Sequence, residues 1–225
     1  MLTFSACKTA ESVTELTTGN ANNASEVVSV SETDYMAQNQ GICVLSATKA
    51  ELTEESTDGI DSVDTMALVI FNNSDKTLKY GQVYIDFPDG SYYTFTLTTL
   101  PPGAYCRVVE DNNSPYRSIA EELPNIYLEN LAFFLEEPSV YSDILLINGT
   151  NGIISIKNIS ESEITENIII YYKDYINNTF TSGVTYRVTV KDGLAPGEIK
   201  QVTANHFRQN ESKLMFVQLI PAEVE

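Results

Sequence analysis

The chain has 225 residues, of which 43% are hydrophobic. That is enough for two domains of about 100 residues each and too apolar for global disorder. Against 13 Lys and Arg stand 31 Asp and Glu, a formal charge of −18, which rules out the basic face that nucleic-acid phosphates require and is repelled by an anionic bilayer. No apolar run of about 18 residues is present, so no spanning helix is expected.

At the N-terminus, Phe4-Ser5-Ala6-Cys7 resembles the end of a bacterial lipoprotein signal, in which a small residue precedes a Cys that is lipidated and becomes the first residue. Phe4 stands where Leu is usual, and neither a basic stretch nor a long apolar one precedes it. Either the native start lies upstream of Met1 or the match is chance. Residues 8–40 are rich in Ser, Thr, Asn and Glu without proline, the composition of a solvated tether. A Cys, a polar tether and then folded modules is the layout of a surface lipoprotein, so Cys7 is the candidate lipidation site and the only expected link to a membrane.

The first predicted strand covers residues 41–45. Residues 51–64 follow with six carboxylates, Glu51, Glu54, Glu55, Asp58, Asp61 and Asp64. Their spacing is not that of an EF-hand loop, so a solvated acidic connection is expected and no metal site. Residues 65–71 form a nearly continuous apolar run, as in a central strand, and Asn72-Asn73-Ser74-Asp75 turns the chain. Tyr80, Gln82, Tyr84 and Asp86, with Leu78, alternate with Val83, Ile85 and Phe87, a half-buried strand. Pro88-Asp89-Gly90 closes a hairpin onto a two-faced strand of Tyr93, Phe95 and Leu97 between threonines. Pro101-Pro102-Gly103 turns into residues 105–109; a helical turn is expected at residues 118–122 and a strand at 126–135. A junction at Pro138-Ser139 leads to Ile144-Leu145-Leu146-Ile147 and a turn over residues 148–152.

From there the plan repeats. Asn158-Ile159-Ser160 answers Asn72-Asn73-Ser74, an offset of 158 − 72 = 86, and Leu194-Ala195-Pro196-Gly197 answers Leu100-Pro101-Pro102-Gly103, an offset of 194 − 100 = 94. An insertion near Asn177 and Asn178 accounts for the difference. One β-rich module used twice is therefore expected. The fold class is all-β, two tandem immunoglobulin-like antiparallel sandwiches after a disordered tether, with residues 1–40 as signal remnant and tether, 41–138 and 139–220 as the two sandwiches and 221–225 as a tail.

A resemblance supports this reading. Asn158-Ile159-Ser160, Tyr171-Tyr172-Lys173, residues 183–188, Pro196-Gly197-Glu198, His206-Phe207 and residues 212–217 stand in an order that resembles uncharacterised secreted or lipid-anchored envelope proteins of clostridial type. More loosely it is similar to small surface sandwiches of the FxLYD type. The resemblance implies a cell-envelope setting and carries over no catalytic residue.

Chemistry is sparse. The lone His206 has no Cys, Asp or Glu at ligand spacing, and no phosphate loop, nucleophile elbow or zincin helix is present. The adjacent pairs Glu121-Glu122 and Glu136-Glu137 are not held across a cleft as glycosidase acids must be. The expectation is a protein that is not an enzyme and needs no cofactor. Cys43 and Cys106 either pair or stay free; free buried thiols are expected, since the second module folds without any. Several Asn-x-Ser/Thr sequons, at Asn72, Asn112, Asn148, Asn158, Asn177 and Asn210 among them, reflect Asn- and Ser-rich turns. Tyrosine is the overused aromatic, 13 Tyr and no Trp. Tyr92-Tyr93 and Tyr171-Tyr172 must each send one ring to either sheet face, which makes them the candidate ligand platform for a glycan or protein partner. The expected function is a non-enzymatic module on the outer face of the bacterial envelope, contacting an unknown partner or acting as a spacer; the alternative is a carbohydrate-binding module using exposed tyrosines.

Overall fold

The structure, a computed structural model, describes residues 35–56 and 59–221. Cys7 and residues 1–34 of the predicted tether lie outside the described residues. The expected tether gives way to structure before Gly41: β1 (Ala37–Asn39) pairs with β2 (Ile42–Ser56) around Gln40 and Gly41. Both turn residues have positive φ, 47° and 82°, the backbone that a two-residue hairpin loop needs. At Gly41 a side chain would also press on Ser74, 2.9 Å from an added Cβ.

The protein is all-β, with a single short helix among the described residues. Strand β2 runs against β3 (Gly59–Asn72) from the pair Ile42–Asn72 out to Ser56–Gly59. This corrects the expected acidic connection: residues 51–56 and 59–64 are paired strand, the outer part of a long hairpin, and residues 57 and 58 lie outside the described residues. The pairing of β3 with β6 (Tyr105–Val109) ends at Ala67, and the acidic sequence of the hairpin farther out hides the strand period. The exposed Lys49–Asp64 ion pair on this ribbon, 2.5 Å, is worth about 0–1 kcal/mol.

Opposite β1-β2-β3-β6 lies a second sheet of β5 (Tyr92–Leu100), β4 (Leu78–Asp86) and β7 (Asn125–Phe133), with β4 central. Ile42, Val44, Met66, Leu68, Ile70 and Val108 from one sheet meet Leu78, Val83, Ile85, Phe95, Leu97 and Leu128 from the other in one core. Each fully buried aliphatic or aromatic side chain contributes about 1.5–3 kcal/mol. The alternation along β4 breaks at Leu78, which is buried although it shares parity with the outward Tyr80; the pairing with β7 shifts register there. One helical turn, α1 (Ile119–Glu122), precedes β7 as expected.

The second half repeats the pairing. Strands β8 (Leu145–Thr150), β9 (Ile153–Asn158) and β13 (Ile199–Thr203) form one sheet, while β12 (Tyr186–Val190), β10 (Asn167–Ile176) and β14 (Ser212–Ile220) pair around β10. Thus β2, β3, β4, β5, β6 and β7 correspond in pairing to β8, β9, β10, β12, β13 and β14. Part of the expected turn at residues 148–152 is instead strand: Gly149 lies within β8 because the Phe207 ring occupies the place of a side chain, 2.0 Å from an added Cβ.

The repeated Asn motifs hold this plan together. Asn72 is fully buried; its Nδ2 donates to Lys76 O (2.9 Å) and Leu100 O (2.7 Å), and its Oδ1 accepts from the Ser74 N and Oγ. Asn158 does the same with Ser162 O (2.8 Å), Leu194 O (3.0 Å) and Ser160. The amides of Gly103 and Gly197 close both corners, donating to the Asn72 and Asn158 carbonyls at 2.8 and 3.0 Å. Each buried amide thus ties the turn after a central strand to the Leu-x-Pro-Gly turn, with its polar atoms satisfied.

Candidate interaction surface

The four tyrosines singled out from the sequence lie in different surroundings. Tyr92 is 63% exposed, whereas its neighbour Tyr93 is buried, its hydroxyl donating to Pro115 O and its ring edge-on to Phe87 at 4.9 Å. Burial raises the Tyr93 phenol above its ordinary value. Tyr171 is half-buried and stacked on Phe216 at 4.2 Å, with its hydroxyl donating to Gln218 Oε1 at 2.9 Å. Tyr172 is buried between Tyr186 and Phe207, and burial raises its phenol as well. The structure therefore brings none of the four together as one platform. His206 stacks on Tyr186 at 4.7 Å.

Around Tyr92 the outer face of β5-β4-β7 carries residues that gain meaning only from strand register. Tyr92, Asp86 and Asn125 form one cross-strand row; Thr94, Tyr84 and Tyr127 form the next; Thr96, Gln82 and Glu129 the third. Tyr84 and Tyr127 stack at 5.4 Å. The Tyr127 hydroxyl donates to Asp86 Oδ2 (3.1 Å) and the Tyr84 hydroxyl to Gln82 Oε1 (2.9 Å). Desolvation, followed by that bond to Asp86, raises the Tyr127 phenol. Because Tyr84 and Tyr127 turn their faces to each other, Tyr92 is the open ring of the patch. The carboxylates and amides beside it can accept and donate hydrogen bonds to a hydroxyl-rich ligand.

The second notable region is the contact between the halves. The inserted residues form β11 (Thr179–Phe180), after a turn in which Asn177 and Asn178 both adopt positive φ. This strand pairs antiparallel with its own β10 and parallel with β6 of the first half, Phe180 opposite Cys106. Phe180, Met215 and Phe216 join the core of the first half. Past β11 the chain reaches β5: Thr98 N donates to Gly183 O at 2.8 Å, and the Thr98 and Thr185 hydroxyls bond at 2.8 Å. At Gly183 an added Cβ would lie 2.2 Å from Thr96 O, so the close approach requires glycine.

Lys173 of β10 is fully buried at this seam. Its Nζ donates to Thr98 O (2.8 Å) and Gly183 O (3.0 Å) and lies 3.9 Å from Cys106 Sγ. The Cys106 thiol donates to Ser182 O at 3.3 Å. Burial lowers the Lys173 ammonium and raises the Cys106 thiol, each moderated by the other. Among the described residues no carboxylate forms an ion pair with Lys173. Cys43 and Cys106 do not form a disulfide. The sequence assigned no junction role to Lys173, Phe180 or Gly183: Lys173 and Gly183 entered only through the resemblance, and the insertion near Asn177 and Asn178 was the one trace of the contact.

Among the described residues, no group of three or more His, Cys, Asp or Glu is placed to hold a metal. No family model, curated protein or solved structure matches the chain.

Proposed function

We propose that this chain is a non-enzymatic module of the bacterial cell surface, lipid-anchored through Cys7 or secreted, in which two tandem immunoglobulin-like sandwiches act as a single stiff spacer and interaction unit. The observation that carries the reading is the interlock between the halves: strand β11 of the second completes the sheet of the first, with Phe180 in that core. Two beads on a flexible linker would tumble apart; a shared sheet and core transmit orientation, which suits a protein that holds a contact at a set distance. The sequence layout of Cys7, polar stretch and modules supports the envelope setting, as does the resemblance to secreted clostridial-type proteins.

The test is to express the native gene with its upstream DNA, label cells with a palmitate analogue, and compare Cys7→Ala. Label and envelope retention that vanish in the variant support the anchored form. An unlabelled product confined to the cytosol would overturn the surface reading.

The second reading, a carbohydrate-binding module, is favoured by one observation: Tyr92 is open beside Asp86 and the Tyr84–Tyr127 pair on one sheet face. Glycan-array binding that is lost in Tyr92→Ala would establish it, and an array without signal above background would dismiss it.

A further inference from the structure

The Lys173–Cys106 contact calls for an account of its own. A lone ammonium sealed in a protein interior costs several kcal/mol, which a pair of carbonyls only partly offsets. Among the described residues, the ionisable group that Lys173 Nζ meets is the Cys106 thiol, 3.9 Å away, and both side chains are fully buried. Whether the pair is thiolate with ammonium or thiol with amine, it is net neutral and contains a nucleophile in either form. Desolvation favours the second form, in which Lys173 carries a free amine lone pair. The two residues belong to different halves, and each is fixed by further bonds: Lys173 by Thr98 O and Gly183 O, Cys106 by Ser182 O and by its place in β6.

We propose that Lys173 and Cys106 are the site of an oxidative cross-link, a single oxygen atom joining Nζ to Sγ, which staples the second module to the first. The co-reactant is dioxygen. The Cys106 S–H bond and one Lys173 N–H bond break, an S–O and an O–N bond form, and the O–O bond is cleaved. The second oxygen leaves as water with the two hydrogens. Sulfur and nitrogen each give up two electrons, and dioxygen accepts the four. Oxygen insertion suits the geometry better than a direct S–N bond, because the bridging atom fills part of the 3.9 Å gap, whereas a direct bond would have to close most of it against a packed core. Dioxygen, small and apolar, reaches such a site through local openings. The Cys43 thiol donates to Gly41 O at 3.7 Å and serves as the internal control.

The experiment uses the full chain, purified anaerobically and then aerated, read by intact mass and by peptide mapping. The expected product has gained one oxygen and lost two hydrogens, with the Cys106 and Lys173 peptides joined. It persists in Cys43→Ser, is absent from Cys106→Ser and Lys173→Arg, and reverts with a thiol reductant. The wild-type peptide map decides alone if a variant fails to fold. A Cys106 that stays reduced, or that is oxidised to sulfinic acid while the Lys173 peptide runs free, overturns the proposal.

Discussion

Phe180 belongs by sequence to the second module and by packing to the first, and replacing it with Ala separates these two affiliations. Its ring is 1% exposed, lies within the core of the first half, and meets Tyr175 at 4.9 Å with the Lys173 and Lys213 ammoniums over it at 5.5 and 5.8 Å. Truncating a phenylalanine in such a site removes its transfer free energy and leaves a cavity, about 3–5 kcal/mol together. For a folded unit of this size, each kcal/mol moves the melting temperature by about 2–4 °C, so Phe180→Ala is expected to melt roughly 10 °C lower. The location of the loss is more telling than its size. Because Phe180 lies opposite Cys106 in the shared sheet, the Cys106 thiol should become reactive toward a thiol reagent under native conditions, while hydrogen exchange in β9 and β13 stays slow. If Cys106 remains protected in Phe180→Ala, or if the protection lost is confined to the second half, the interlock does not hold the first module together.

The matched corners make Asn72→Ala and Asn158→Ala equivalent perturbations: each strips two carbonyls and a Ser of their partners. Both are expected to cost about 2–4 kcal/mol in urea denaturation, and a difference of more than about 2 kcal/mol between them would show that the two corners are not the same device. Thr65 is fully buried, and its Oγ1 has no hydrogen-bond partner among the described residues. Thr65→Val keeps the shape and removes the stranded hydroxyl, so a gain of about 1 kcal/mol is expected in the same assay, and a loss of that size would reveal a partner for the hydroxyl. The pH dependence follows from the buried pair. Lys173 titrates lower when folded than its ordinary 10.5, so the unfolded chain binds more protons between the two values and stability from this group rises with pH, reaching its full value above 10.5. Cys106 titrates higher when folded than its ordinary 9.0, so its contribution is lost as pH climbs past 9.0. In Cys106→Ala only the lysine effect remains, and the denaturation midpoint, measured relative to a Cys106→Ala/Lys173→Met double variant, should keep rising up to pH 10.5; a flat profile would mean that Lys173 is not desolvated.

Much of the strand plan could be read from the sequence, because in most strands one face is buried and the other wet. Tyr93, Phe95 and Leu97 alternate with threonines in β5, and the apolar run ending at Phe71 lies between two partners in β3, as its lack of alternation implied. The outer hairpin of β2 and β3 was hidden because residues 51–64 are mostly acidic and polar, so no apolar alternation marks the strands there. The tyrosine patch was half legible. Adjacency in Tyr92-Tyr93 ensured that one ring pointed outward, but placing Asp86 and Tyr84 beside it needs the register of β4 on β5, and Tyr127 that of β4 on β7. Least legible was the junction. The contacts of Lys173 with Thr98 and of Gly183 with Thr96 join residues that are distant in sequence, and no local propensity encodes them. Their only trace was an offset that grew from 86 to 94 between repeated turns.

That offset also explains how a duplicated module becomes one body. By the second offset, Thr98 corresponds to Asp192 and Cys106 to Lys200. The backbone is shared at one position: Thr99, near the end of β5, and Gly193, the corresponding next residues, have φ of 45° and 53°. Beside this position a lysine donates to backbone carbonyls in each half: Thr98 O, with Gly183 O, in the first, and three carbonyls in the second. In the second half it is the module's own Lys200, donating to the carbonyls of Lys191 (3.1 Å), Asp192 (3.2 Å) and Gly193 (2.9 Å). In the first half the corresponding strand position holds the small Cys106, and the ammonium arrives from the other module as Lys173. Trading the local lysine for a cysteine thus opens a place that only the second module fills. The consequence is an asymmetry between two similar substitutions. Lys200→Met frees carbonyls that water can reach, so about 0–1 kcal/mol should be lost and the first half should not notice. Lys173→Met strands carbonyls at a sealed seam, where each unsatisfied group costs about 1–3 kcal/mol, and exchange of the Thr98 amide should accelerate with it. Equal losses at the two positions, or an unchanged Thr98 amide in Lys173→Met, would mean that the seam is held by Phe180 and its neighbours alone.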